Sequence, residues 1–180
     1  MAEAIDAATG PFGSGGTAEF LRGDWLGHAL HPLMTDFPLG CWIGAGLLDL
    51  LGGPSSREAS RRLVGLGLLA APMTIAAGLA EWRLLESAAS RRVATLHAGG
   101  NLVASFAYWR SWQVRRQGRH TAGVAWAMVG GLTAVATGYL GGHLSFVRTA
   151  GTGARGRPPI SGGPSSMVRR LGSRSSWGAA

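Results

Sequence analysis

Four long apolar stretches constrain the fold of this chain more than any other feature of its sequence. They lie at about 31–51, 63–80, 93–112 and 121–147. Each is close to the roughly 20 residues that an α-helix needs to cross a bilayer. Only 14% of the residues are charged, whereas a typical soluble domain carries about 25%. The sequence therefore predicts an all-α, integral membrane four-helix bundle over residues 24–148.

The two ends of the chain have the composition of tails. Residues 1–23 are rich in Ala, Gly and Ser and contain no basic segment followed by an apolar core, so a cleaved signal peptide is not expected. Residues 149–180 are rich in Gly, Ser, Pro and Arg and contain too few large apolar residues to build a core. We predict a flexible N-terminal tail and a disordered basic C-terminal tail.

The net charge of +8 does not indicate a nucleic-acid-binding protein. All 17 basic residues are arginines, and they occur in short clusters between the apolar stretches, as in membrane proteins. Near the span ends, seven arginines fall on each side of the predicted bundle, so the positive-inside rule leaves the orientation open. The expected surroundings are a lipid bilayer and no nucleic acid.

Polar residues of all four spans converge on one membrane side. With four spans, both termini and residues 82–92 share one side, which we call side A; the opposite side is side B. The residues that fall toward side A are His28, His31, Asp36, Glu81, His97, Asn101 and His143. Only Asp49 and His120 fall on side B, where Asp49 is expected to face the arginines and His120 the interface.

This cluster admits two main interpretations. Neutral imidazoles on facing helices can ligate haem iron or another metal ion, and His31 with His97 or His143 is the best pair, with His28 as a further candidate. Alternatively, the histidines together with Asp36, Glu81 and Asn101 form a polar network that only locks the bundle of a structural or interaction subunit. Passage of protons ranks last, because no polar residues continue through the middle of the spans.

Four motifs in order carry a family resemblance. The segments His28-Ala-Leu-His31-Pro32 and Asp36-Phe37-Pro38-Leu39-Gly40 resemble the GHPLHP…FPIG opening of a bacterial membrane family, domain of unknown function 2231. The other three motifs of the family resemble Gly78–Trp82, His97–Asn101 and Gly138–Leu144. Ala29 replaces the usual proline.

The resemblance implies a multi-pass protein of the bacterial plasma membrane, and it implies no established activity. Some members of the family are fused to a Rieske iron–sulfur domain. No Rieske cysteines follow the fourth stretch here, so a Rieske-type or other redox partner would be a separate membrane protein, and a homo-oligomer is a further option. Because no nucleophile–base signature occurs, the chain is not expected to be an enzyme.

Overall fold

The computed structural model describes residues 1–10 and 15–142, and every regular element within these ranges is helical. The α-helices are α1 (Ala2–Ala8), α2 (Gly16–Arg22), α3 (Leu30–Leu51), α4 (Arg57–Trp82), α5 (Ala88–Arg116) and α6 (His120–Gly142). Short 3₁₀ turns lie at Asp24–Leu26 and Pro54–Ser56. His143, the end of the fourth apolar stretch and the predicted C-terminal tail lie outside the described residues.

Local sequence explains where the long helices begin. Ser87 caps α5, because its Oγ accepts the backbone N–H of Ser90 at 2.9 Å. Pro32 lies in the first turn of α3, where a missing N–H leaves no hydrogen bond unmade. Gly23 ends α2 with a φ of 77°, and a side chain there would collide with the backbone of His28.

The four long helices pack side by side as two antiparallel hairpins, α3–α4 and α5–α6. The hairpins meet through α4 with α5 and through α3 with α6, so that α3 and α5 are diagonally opposite. Helices α3 and α5 begin at the end that corresponds to side A and run toward side B. Side chains of α3 and α5 therefore meet along the centre of the four helices.

An aromatic pair fills the middle of this centre. The rings of Trp42 and Tyr108 stack with centroids 4.0 Å apart and an interplanar angle of 12°. Both are buried, and Ala45 and Val64 complete the same core cluster. Small residues and rings thus pack where the helices approach each other, and the partly buried Leu39, Leu63 and Leu68 pack against them.

Large apolar side chains cover the outside of all four long helices. Examples are Leu47, Leu69, Val103 and Leu132, each more than half exposed. Two helical segments, Pro54–Trp82 and His120–Gly142, are long and apolar enough to cross a membrane by length and composition. Exposed apolar surface of this extent is typical of a protein that faces lipid or a partner.

The N-terminal region differs from the flexible tail expected over residues 1–23. Helix α1 packs Ile5 against Trp82 and Ala94, and the indole N–H of Trp82 donates to the Asp6 carboxylate at 2.7 Å. Helix α2 packs against α4 and buries Ala18 and Leu21. Helices this short gain their stability from tertiary contacts, which the composition of the segment does not reveal.

Candidate functional site at the centre of the four long helices

His31 and His97 meet at side A. His31 lies in the first turn of α3, and His97 lies in α5. The centroids of their rings are 6.1 Å apart, and the interplanar angle is 83°. Both side chains are half-buried. The structure therefore brings together the pair that the sequence indicates as the best candidate ligands.

Each imidazole is anchored by a backbone carbonyl of the second helix in its hairpin. His31 Nδ1–H donates to the carbonyl of Thr74 at 2.8 Å, and His97 Nδ1–H donates to that of Thr137 at 2.7 Å. A carbonyl can only accept, so Nδ1 carries the proton in both rings and, in the neutral form, Nε2 carries the lone pair. The same arrangement orients histidines that bind metals.

The two rings differ at Nε2. The amide of Asn101 donates to His97 Nε2 at 2.9 Å, and Asn101 Oδ1 accepts the hydroxyl of Thr137 at 2.8 Å. Within the described part of the chain, no group is hydrogen-bonded to Nε2 of His31. Among the described residues, His97 therefore has a partner at both ring nitrogens, whereas His31 has one only at Nδ1.

Glycines provide the surface on which the two rings lie. A Cβ added to Gly78 would be 2.9 Å from His31 Cε1, and one added to Gly141 would be 2.8 Å from His97 Cε1. Any side chain at either glycine would thus displace an imidazole. Thr74 also donates its hydroxyl to Met34 O at 3.0 Å, a carbonyl that lacks its helical partner because Pro38 has no N–H.

Two of the other predicted residues lie apart from the imidazole pair. His28 and Asp36 are exposed and, with Leu26, Pro32 and Leu33, line an open depression on the outer side of α3. The expected convergence of both residues with His31 is absent from this structure. Asp36 lies five residues after His31, which places it on a different face of a regular helix.

The last two predicted residues are Glu81 and His143. Glu81 is partly buried in the last turn of α4, one turn beyond the glycine that supports His31. His143 follows the last described residue. Among the described residues, no three His, Cys, Asp or Glu side chains are grouped so that they could hold a metal ion.

A second polar cluster, at side B, is built around a buried ion pair. Arg115 Nη2 lies 2.6 Å from Asp49 Oδ2 and Nη1 lies 2.9 Å from Oδ1, with side chains 1% and 6% exposed. From the sequence, Asp49 is expected near the side B arginines, and Arg115 follows the third apolar stretch, where a loop is expected. Helix α5 instead continues to Arg116, so that Arg115 points into the helix cluster.

Serines and a histidine complete this second cluster. Ser60 donates to Asp49 Oδ1 at 2.6 Å and accepts from Arg115 Nη1 at 2.9 Å. Ser111 accepts from Arg115 Nε at 3.0 Å and donates to the carbonyl of Gly123. His120, expected at the interface, is half-buried with Nε2 3.5 Å from Asp49 Oδ1. All four long helices contribute to this network.

Comparison with known proteins assigns the chain to a family. No curated protein and no solved structure matches it. The model of the family domain of unknown function 2231, described as predicted membrane protein, matches residues 27–154, which include all four long helices. The chain therefore belongs to this family of predicted membrane proteins.

Proposed function

We propose that the protein is a four-span membrane protein whose His31 and His97 imidazoles would hold a haem in a redox-associated role. The four long helices and their exposed apolar side chains support four spans, including helices α3 and α5. The buried polar residues inside and the apolar residues outside suit a bundle in lipid. Its proposed location is the bacterial plasma membrane.

The facing imidazole pair is the observation that carries the haem proposal. An imidazole nitrogen binds a metal at about 2 Å, so two imidazoles that share one metal ion must lie close together. The His31 and His97 centroids are 6.1 Å apart. Their Nδ1–H groups are held by carbonyls, which leaves Nε2 as the coordinating atom of each ring.

The number of ligands favours haem over a bare metal ion. A structural zinc site uses four protein ligands, and the described residues contain no cluster of even three. Haem iron needs only two from the protein, and bis-imidazole ligation supports electron transfer. Coordination by His97 requires the Asn101 amide to turn away from Nε2. A Rieske-type or other redox membrane protein is the proposed partner.

An absorption spectrum with metal analysis of the detergent-solubilised protein tests this proposal. We expect a Soret band in protein purified from haem-replete cells, and its loss in His31→Ala and in His97→Ala. His28→Ala is the matched control, because His28 lies one turn earlier but is exposed and outside the pair. Wild-type protein without haem or metal, before and after haem titration, would refute the proposal.

The hydrogen bond from Asn101 to His97 favours a second candidate, a structural or interaction subunit. In that case the network of His97, Asn101 and Thr137 serves only to join α5 to α6. His97→Ala would then lower the melting temperature or the recovery of a co-purifying partner, and the wild-type spectrum would contain no haem band. A homo-oligomer is one form that such a subunit can take.

A further inference from the structure

The hairpins α3–α4 and α5–α6 carry corresponding residues at a constant spacing. Arg115 follows Asp49 by 66 residues, and the same separation relates His97 to His31 and Tyr108 to Trp42. A second constant separation relates α6 to α4: the corresponding pairs are Gly67 with Gly130, Thr74 with Thr137, and Gly78 with Gly141. Overall identity between the hairpins is low, so the correspondence is visible only at these contact positions.

The contacts made by these residues correspond as well. Trp42 lies on Gly67 as Tyr108 lies on Gly130. Each imidazole lies on the corresponding glycine and donates to the corresponding threonine carbonyl, at 2.8 Å in one hairpin and 2.7 Å in the other. Each threonine also donates its hydroxyl to the first helix of its hairpin, Thr74 to the Met34 carbonyl at 3.0 Å and Thr137 to the Asn101 side chain, at a position that does not correspond to Met34, at 2.8 Å. The two hairpins are thus assembled in the same way.

Corresponding residues also touch one another at the centre. The imidazoles are 6.1 Å apart, the rings of Trp42 and Tyr108 are 4.0 Å apart, and the Asp49 and Arg115 side chains are 2.6 Å apart. When two copies of a unit associate, a residue contacts the same residue of the other copy only at a two-fold axis. Three such layers define an axis that runs along the helices from side A to side B.

We infer that the two hairpins are equivalent halves around this axis, and that the Asp49–Arg115 pair selects which hairpin associates with which. Two copies of α3–α4 would place two buried aspartates together, and two copies of α5–α6 would place two arginines together. Like charges in a buried contact are strongly unfavourable. The partner selected at this site is the other hairpin of the same chain, and a second copy of the same hairpin is rejected.

The remaining contacts at side B agree with this assignment. Ser60 Oγ on the second helix lies 3.2 Å from the carbonyl of Ala45, and Ser111, the counterpart of Ala45, donates to the carbonyl of Gly123, the counterpart of Ser60. A serine hydroxyl therefore faces a backbone carbonyl at the same junction between first and second helix in both halves. The inference is independent of haem binding, because it uses only contacts between helices.

A charge exchange in the full-length chain tests the equivalence of the two positions. We expect Asp49→Arg and Arg115→Asp each to lower the melting temperature in detergent by about 10 °C. The double variant should recover at least half of that loss, since the pair is restored with its partners exchanged. The exposed pair Glu58–Arg61 is the control, and its exchange should change the melting temperature by less than about 2 °C.

The result of the exchange is decisive in either direction. A double variant no more stable than the poorer single variant overturns the equivalence. If the single variants do not accumulate, the yield of monodisperse protein on size exclusion gives the same comparison. A double variant with a higher yield than the single variants supports the inference, and a yield as low as that of the single variants contradicts it.

Co-expression tests the selection of partners. Differently tagged Asp49→Arg and Arg115→Asp chains should co-purify well above two differently tagged wild-type chains, because each variant carries the charge that the other lacks. Co-purification no greater than in that wild-type control overturns the selecting role of the pair, whatever the double variant shows.

Discussion

The two polar clusters on the central axis bury their polar groups in different ways. At side B, Asp49 and Arg115 are charged, almost inaccessible and completely surrounded by donors and acceptors. At side A, the hydrogen bonds fit neutral imidazoles, and Nε2 of His31 has no hydrogen-bond partner among the described residues. A buried ion pair holds its partners in one arrangement, because separating the charges is costly. Neutral imidazoles retain the capacity to bind a ligand.

The largest expected effect comes from breaking the ion pair on one side only. Arg115→Met leaves the Asp49 carboxylate buried without its partner, which costs about 3–5 kcal/mol of unfolding free energy. The double variant Asp49→Leu/Arg115→Met removes both charges and should recover most of that stability. Thermal and denaturant unfolding in the same detergent measures the difference.

The surface pair Glu58–Arg61 is the control for that experiment, since Arg61→Met removes an exposed partner and should cost less than about 1 kcal/mol. Equal losses in Arg115→Met and in the double variant would show that packing of the side chains, and not their charge, stabilises side B.

A smaller loss of stability is expected at side A. His31→Ala and His97→Ala each leave a backbone carbonyl without its donor, which costs about 1–3 kcal/mol. Because the two histidines occupy corresponding positions, the losses should agree within about 1 kcal/mol in ligand-free protein. Unfolding curves of both variants measure this. A large difference between the two losses would show that His31 and His97 contribute unequally to stability at side A.

The sequence predicts the helices better than it predicts the clusters. Apolar stretches indicate the four long helices to within a few residues at most ends, because a continuous apolar run must be buried or in lipid. The lengths of α4 and α5 are underestimated, since their polar ends at Arg57 and Arg116 continue the helix beyond the apolar part. The packed helices α1 and α2 carry no periodic signal of their own.

The pairing of His31 with His97 follows from topology, because both lie near the side A end of parallel helices. The position of Asp36 depends on which face of α3 it occupies. Because Pro38 interrupts this helix, the sequence alone does not determine that face. The arginines after residue 112 predict a loop at Arg115, because a run of arginines usually marks the end of a span. The available signal is that the sequence separation between Asp49 and Arg115 equals that between the members of the other axial pairs. This equality becomes meaningful only once the contacts are known.

Asn101 distinguishes the two imidazoles and should have an intermediate effect. Asn101→Ala removes the donor to His97 Nε2 and the acceptor of the Thr137 hydroxyl, which should cost about 1 kcal/mol of stability. Haem should bind about fivefold more tightly, because the competing hydrogen bond is gone. Titration of haem into the apoprotein measures the affinity.

The counterpart of Asn101 on α3 supplies the control. Thr35 occupies the corresponding position but donates its hydroxyl to the carbonyl of His31 at 2.8 Å and leaves Nε2 alone. Thr35→Ala should therefore leave haem affinity unchanged. A decrease of affinity in Asn101→Ala would mean that the amide assists ligand binding instead of competing with it.

The smallest effect is expected at the depression on the outer side of α3. Asp36 is exposed and belongs to neither axial cluster, so Asp36→Asn should change the unfolding free energy by less than about 0.5 kcal/mol and leave the Soret band in place. His31→Asn is the matched comparison on the same helix, five residues earlier, and should remove the band. If Asp36→Asn instead altered the spectrum or stability as strongly as His31→Asn, the carboxylate would have to reach the imidazole pair. Side A would then be a larger site than the His31–His97 contact, and its polar groups would no longer be separated from the outer surface as they are in this structure.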